Sequence, residues 1–125
     1  MFSLKRLIIS FKTAFEGLAF VFRNEPNFRL QIFFGFVALF FGYFFKIRTS
    51  EWIVVILLVI MVLVMEILNT AIEQFTDLLK PRLHHYVKAI KDVMASAVLT
   101  MAFGALLVGI IIFWPYLSAI MHELK

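Results

Sequence analysis

The run Trp52–Asp77, WIVVILLVIMVLVMEILNTAIEQFTD, decides how the rest of the chain is read. From Ile53 to Met65 it is unbroken aliphatic sequence behind a tryptophan, the pattern of a membrane span entered through an interfacial anchor. Its second half keeps the helical pattern but carries carboxylates and an amide. At about 100° per residue, Glu66, Asn69, Glu73 and Asp77 fall within a stripe roughly 80° wide. A rise of about 1.5 Å per residue puts Glu66 about 21 Å from Trp52, near the far interface, so that residues from Glu73 onward emerge into water. Unpaired carboxylates at the edge of hydrocarbon are costly. They face a protein interior or a wet cavity, and they usually mark a functional site. Pro81 is expected to end the helix near Leu79.

The composition agrees with a membrane setting. The chain has 125 residues, 63% of them hydrophobic and only 16% charged, which is too apolar for a soluble domain of this size. One domain over residues 1–125 is the only sensible division, and so few spans enclose little interior by themselves, which points to oligomerisation. The sequence has no cysteine, excluding disulfides, thiolate metal sites and cysteine nucleophiles. Its net charge of +4 is read as a match to an anionic membrane surface, with no nucleic acid needed as a partner.

Working outward, an amphipathic helix is predicted over about 2–22. Leu4, Leu7, Ile8, Phe11, Phe15, Leu18 and Phe22 gather on one side, and Arg6, Ser10, Thr13 and Gly17 lie opposite. Lys12 and Glu16 break any signal-peptide core, so a helix lying in the membrane interface is expected. Pro26 belongs in the first turn of the next helix, with Glu25 at its start, where an acidic residue alone would mean no more than capping. Spans are predicted over about 28–45, 52–79 and 91–114, with a polar turn around Lys46–Glu51 and a compact loop from Lys80 to Lys88. The phenylalanines of the first span are read as lipid-facing and packing side chains. Trp114, Pro115 and Tyr116 are expected to mark the exit of the third span, whose small residues allow close helix approach.

Orientation follows from the basic residues. Lys5, Arg6, Lys12, Arg23, Arg29, Lys80, Arg82, Lys88 and Lys91 share one side, whereas Lys46, Arg48 and Lys125 lie on the other. The positive-inside rule therefore predicts a multi-pass protein with its N-terminus, Glu25 and the acidic stripe on the cytoplasmic side. Phosphoryl transfer uses a divalent metal held by carboxylates, a cation for the phosphate charge and a base for the attacking hydroxyl. Glu25, Glu66, Asn69, Glu73, Asp77, Lys91 and Asp92 supply those types, provided the helices pack with these ends together. No Walker loop, glycine-rich kinase loop or His-Arg-Asp motif is present, so a nucleotide site would have to be built from helix ends. Plainer roles exist for some of these residues: interhelical hydrogen bonding for Glu66 and Asn69, a surface charge pair for Lys91 and Asp92, and a solvated loop for His84 and His85.

The pattern Glu66-x-x-Asn69-Thr70-Ala71-Ile72-Glu73-x-x-x-Asp77, then Lys91-Asp92-x-x-x-Ser96-Ala97-Val98, with Glu25-Pro26-Asn27-Phe28-Arg29 upstream, resembles the signature of the small bacterial integral-membrane diacylglycerol kinases, a family that includes undecaprenol kinases. The resemblance covers essentially the whole chain. It implies an all-α fold, a surface helix plus three transmembrane helices per subunit, assembled as a homotrimer with composite sites in the bacterial cytoplasmic (inner) membrane. It also implies transfer of the ATP γ-phosphate to a membrane lipid alcohol: diacylglycerol, giving phosphatidic acid, or alternatively undecaprenol. Glu66 matches the general base, which also meets the lipid, and Glu25 and Glu73 match the carboxylates that hold Mg²⁺. Nucleotide contacts are implied for Asn69, Glu73, Asp77, Lys91 and Asp92, and at the periphery for Arg6, Thr13, Arg82, Leu83 and His84. Phe28, Arg29 and Ser96 correspond to lipid-acceptor positions. Two positions depart from the family's pattern: Gln31 stands where some members carry an acidic residue, and Thr13 where some carry an aromatic. The alternative from another class is a non-catalytic oligomer or small channel whose acidic stripe lines an ion path.

Overall fold

The computed structural model describes residues 3–125 and is all helical: α1 (Leu4–Asn24), α2 (Pro26–Phe45), α3 (Thr49–Asp77) and α4 (His84–Glu123). Phe2, where the first helix was expected to begin, lies outside the described residues. The three later helices are each long and apolar enough to cross a membrane. In α1 only Val21 is buried, and Leu4, Leu7, Phe11, Phe15 and Phe22 are all exposed. A single extended residue, Glu25, separates α1 from α2, and Pro26 opens α2 as expected because its missing N–H costs nothing in a first turn. Arg29 Nη1 reaches back to the carbonyls of Phe22 at 2.6 Å and Arg23 at 3.0 Å. That bond closes the end of α1 and fixes the corner between the two helices.

α3 is the central element, packing most extensively on α4 and also on α2, while α1 touches α2 and α3. Two glycines set the α2–α3 approach. A Cβ on Gly35 would stand 2.9 Å from Val59 Cγ1, and one on Gly42 would stand 2.9 Å from the Trp52 ring. Trp52, expected as an interfacial anchor, also packs over Gly42. Ile47, Val55 and Ile112 form the buried core at this end, with Phe45, Trp52, Phe113 and Tyr116 against them. α2 stops where Lys46 turns left-handed, with φ 52°, and the Ile47 amide returns to the Gly42 carbonyl at 3.2 Å. Phe33, Phe36, Phe40 and Phe44 point outward, as expected of side chains that meet lipid.

The helix that carries the third span is longer than the span expected within it. It begins at His84, two turns before Lys91, and continues through Pro115 to Glu123, beyond Trp114. A proline inside a helix removes one hydrogen bond and crowds the preceding turn, but tertiary contacts hold the helix on both sides of it. The Phe45 ring lies 6.1 Å from Phe113 and 5.9 Å from Tyr116. The Tyr116 hydroxyl also donates to Glu51 Oε1, which accepts the Arg48 amide at 3.0 Å as an N-terminal cap for α3. The early start shortens the connection after α3 to residues 78–83, where the Leu83 amide bonds the Leu79 carbonyl at 3.0 Å in a helix-like turn. His84, His85 and Tyr86 thus belong to the helix and not to a loop.

Candidate functional site

The carboxylates meet where α2, α3 and the α1–α2 corner come together. Glu66 is 2% exposed. Thr70, one turn on, turns its hydroxyl back to the Glu66 carbonyl at 3.0 Å, and Thr76, fully buried, does the same to the Glu73 carbonyl at 3.1 Å. Both bonds leave the threonine hydroxyls satisfied inside the packing, so the face of α3 beside the acidic stripe can pack without stranding a polar group. Asn69 lies between two carboxylates: Nδ2 donates to Glu73 Oε1 at 3.4 Å, and the same side chain stands beside Glu66. On the opposite wall the Gln31 amide donates to Glu66 Oε2, also at 3.4 Å. These bonds are long, and none of the ion pairs among the described residues involves Glu66.

Glu25 belongs to the same group. Burial pushes its carboxyl above the ordinary glutamate range, and the negative charges of Glu73 and Glu66 push it further. Its side chain makes no capping bond to α2, so capping does not account for it. The influence of Glu73 and Glu66, both on α3, means that the three carboxylates lie within electrostatic range of one another. Among the described residues no three His, Asp or Glu side chains are close enough to hold a metal ion unaided. The donor set still fits a hard divalent cation such as Mg²⁺, which takes one or two carboxylates and fills the rest of its shell with phosphate oxygens and water. Such an ion would relieve the repulsion felt at Glu25.

The expected cations are arranged differently from expectation. Lys91 is two turns inside α4, not at a helix start, and its Nζ donates to Asp77 Oδ1 at 2.6 Å across the α3–α4 interface. Asp92 turns the other way, accepting Lys88 Nζ at 2.9 Å. The adjacent pair thus divides between two ion pairs, because neighbouring helical positions point about 100° apart. Arg6 and Thr13 are exposed on α1, with the Thr13 hydroxyl bonded to the Ser10 carbonyl at 3.0 Å. Arg82, Leu83 and His84 are exposed on the connection and the first turn of α4. Phe28 is buried in the packing, Arg29 is engaged with α1, and the exposed Ser96 donates to the Val93 carbonyl at 2.6 Å. Within one subunit, then, Glu25, Glu66, Asn69 and Glu73 come together, Asp77 and Lys91 form an adjoining pair, and the remaining expected contacts are dispersed.

Gln31 was singled out in the sequence only as a departure from a pattern, with no role attached. It is the one polar side chain between Leu30 and Gly42, a signal strong enough to mark it, although its partner could not be read from the sequence. Below it, between α2, α3 and α4, lies a cavity of about 730 Å³ with apolar walls.

Three apolar helices, with the buried Glu66 and its neighbouring carboxylates near one end and an apolar cavity that begins at Gln31, define an all-helical protein whose later helices could cross a membrane. A family model described as prokaryotic diacylglycerol kinase matches residues 12–113. The chain is 34% identical over 114 residues to a protein of Bacillus subtilis named undecaprenol kinase, covering 91% of this chain and 93% of that one. It is 32% identical over 116 residues to a diacylglycerol kinase of Synechocystis, covering 92% of this chain and 66% of that one. A diacylglycerol kinase of Haemophilus influenzae is 30% identical over 95 residues, 76% of this chain and 80% of the relative. The chain belongs to the prokaryotic diacylglycerol kinase family. It is thereby a bacterial-type lipid kinase, with helices able to span a membrane.

Proposed function

We propose that the protein transfers the γ-phosphate of ATP to the hydroxyl of diacylglycerol, yielding phosphatidic acid at the cytoplasmic face of the bacterial inner membrane. The observation that carries this reading is the convergence of Glu25, Glu66 and Glu73 beside an apolar cavity. Glu66, buried and free of any cation, takes the proton as the lipid oxygen bonds to phosphorus and the bond to the ADP oxygen breaks. Glu25 and Glu73 would hold Mg²⁺, which when bound offsets the charge of the phosphates. Asn69 orients the Glu73 carboxylate. Lys91, on an exposed pair with Asp77, is placed to exchange that partner for a phosphate, keeping positive charge at the mouth of the site.

A homotrimer supports the same reading. The nucleotide-facing residues expected on α1 and the connection are dispersed within one subunit, and a neighbouring subunit would complete a composite site. The N-terminus then lies in the cytoplasm, with α1 on the membrane surface. A second acceptor, undecaprenol, is favoured by the Bacillus relative, which the chain matches over nearly its whole length. Family membership gives no support to a channel.

The test is transfer from labelled ATP in mixed micelles, offering diacylglycerol and undecaprenol separately, with Glu66→Gln and Glu73→Gln as companions. Phosphatidic acid formation, lost in Glu66→Gln and made dependent on higher Mg²⁺ in Glu73→Gln, is expected. Transfer to undecaprenol alone would replace the acceptor. No transfer to either by folded protein would refute the kinase reading for this chain.

A further inference from the structure

Gln31, in the second turn of α2, meets Glu66 from 35 positions away and brings both a donor and an acceptor to it. Its Nε2 donates to Glu66 Oε2 at 3.4 Å, whereas its Oε1 is buried without a partner, the one such side-chain atom among the described residues. A nitrogen turned toward the carboxylate suits an ionised Glu66, because an oxygen there would meet another acceptor. Leaving the carbonyl unpaired has a cost. The other polar groups around Glu66 are committed. The Thr70 hydroxyl is bonded to the Glu66 carbonyl at 3.0 Å, and the Asn69 amide is tied to Glu73 Oε1 at 3.4 Å. Glu25 and Glu73 add only negative charge, and among the described residues no Lys or Arg pairs with Glu66.

A base alternates between two states with opposite needs. The carboxylate requires donors, and the carboxylic acid carries an O–H that requires an acceptor. We infer that Gln31 is a positioning residue that serves both states of Glu66: Nε2 holds the carboxylate before transfer, and Oε1 accepts the Glu66 O–H after it. This rests on the proposed kinase reading and gives its base a partner. The exchange needs only a half-turn of the amide about its last side-chain bond, a torsion with two broad settings that leave the outline of the side chain nearly unchanged. During transfer the lipid hydroxyl proton passes to Glu66, the lipid oxygen bonds to the γ-phosphorus, and ADP departs with the electron pair of the broken P–O bond. Glu66 then donates to Oε1 until its proton returns to water and the amide turns back. One end of the amide is unpaired in either state, so Gln31 favours neither strongly. A cation in its place would hold Glu66 ionised and oppose the proton transfer.

The experiment measures kcat and both KM values for full-length Gln31 variants in mixed micelles, with labelled ATP and the lipid alcohol, diacylglycerol or undecaprenol, that wild type phosphorylates. Gln31→Met keeps the length and removes both polar ends. It is expected to lower kcat about tenfold, equivalent to about 1.4 kcal/mol, with the KM values for ATP and lipid little changed. Gln31→Lys, which donates but cannot accept, is expected to be at least as slow. Gln31→Glu is expected to recover most of the activity, since a carboxyl sharing one proton with Glu66 donates or accepts as required. Unchanged kcat in Gln31→Met would overturn the inference, and so would full kcat in Gln31→Lys, which would show that a donor alone suffices. A raised lipid KM at unchanged kcat would place the amide on the acceptor and overturn it too. Should Gln31→Met fail to fold, the ranking of Gln31→Glu above Gln31→Lys decides in its place. These failures leave phosphorylation by wild type intact. Failure of the kinase reading would appear instead as no transfer to either lipid alcohol by wild type.

Discussion

Glu66→Gln is expected to move activity and stability in opposite directions. The substitution keeps the shape of a side chain that is 2% exposed, and it keeps an oxygen for the amide donors of Gln31 and Asn69. What it removes is a carboxylate held among long hydrogen bonds, with no Lys or Arg in an ion pair with it and with two other carboxylates nearby. A buried polar or charged group without adequate partners costs roughly 1–3 kcal/mol by mutational measures, so the amide should stabilise the fold by an amount of that order. Loss of the base should lower kcat by about 10²–10⁴, or about 3–5 kcal/mol on the barrier. Unfolding by denaturing detergent measures the first quantity and labelled-phosphate transfer the second. A variant that is less stable and fully active would mean that Glu66 is interhelical glue, and the assignment of the base would be refuted.

Four further outcomes follow from the geometry. Removing Gly42 should destabilise: Gly42→Val forces side-chain carbons onto the Trp52 ring, already 2.9 Å from a bare Cβ, at a cost of about 1–3 kcal/mol in unfolding experiments. Lys91→Met and Asp77→Asn should each change stability little, with a coupling below about 1 kcal/mol because both partners are partly exposed, while Lys91→Met weakens nucleotide binding in a filter or calorimetric assay. Glu25 titrates higher in the fold than in the unfolded chain, so the native state binds more protons above the ordinary value of 4.5 and stability falls as pH rises through the interval up to the folded value. In chelator, Glu25→Gln should reduce that slope, and Mg²⁺ added to wild type should flatten it. Tyr116→Phe should lower stability by about 1 kcal/mol through loss of its bond to Glu51, without altering turnover.

Much of the architecture is legible locally. The apolar length of Trp52–Met65 and of the two flanking runs requires three helices that can cross a membrane, because the backbone in hydrocarbon must bond within its own segment. The helical period then places Glu66, Asn69 and Glu73 on one side before any contact is known. Where local signals and packing compete, the sequence misleads. Pro115 reads as a terminator, yet the aromatic contacts of Phe113 and Tyr116 with Phe45 and the bond from Tyr116 to Glu51 carry α4 beyond it. Lys91 and Asp92 read as a pair, yet each is drawn to a different partner.

What the sequence determined by itself is the number of apolar helices, the helical face of the acidic stripe and, through its motif, the family. Those properties depend on residues within a few turns of one another. The tertiary structure alone decided that Glu25 feels Glu73 and Glu66, that Gln31 meets Glu66 from 35 positions away, and that one carbonyl is left unpaired at the head of an apolar cavity. Electrostatic coupling and hydrogen bonding depend on separation in space, and for residues on different helices that separation is set by how the helices pack, here by glycines at 35 and 42 that draw α2 onto α3.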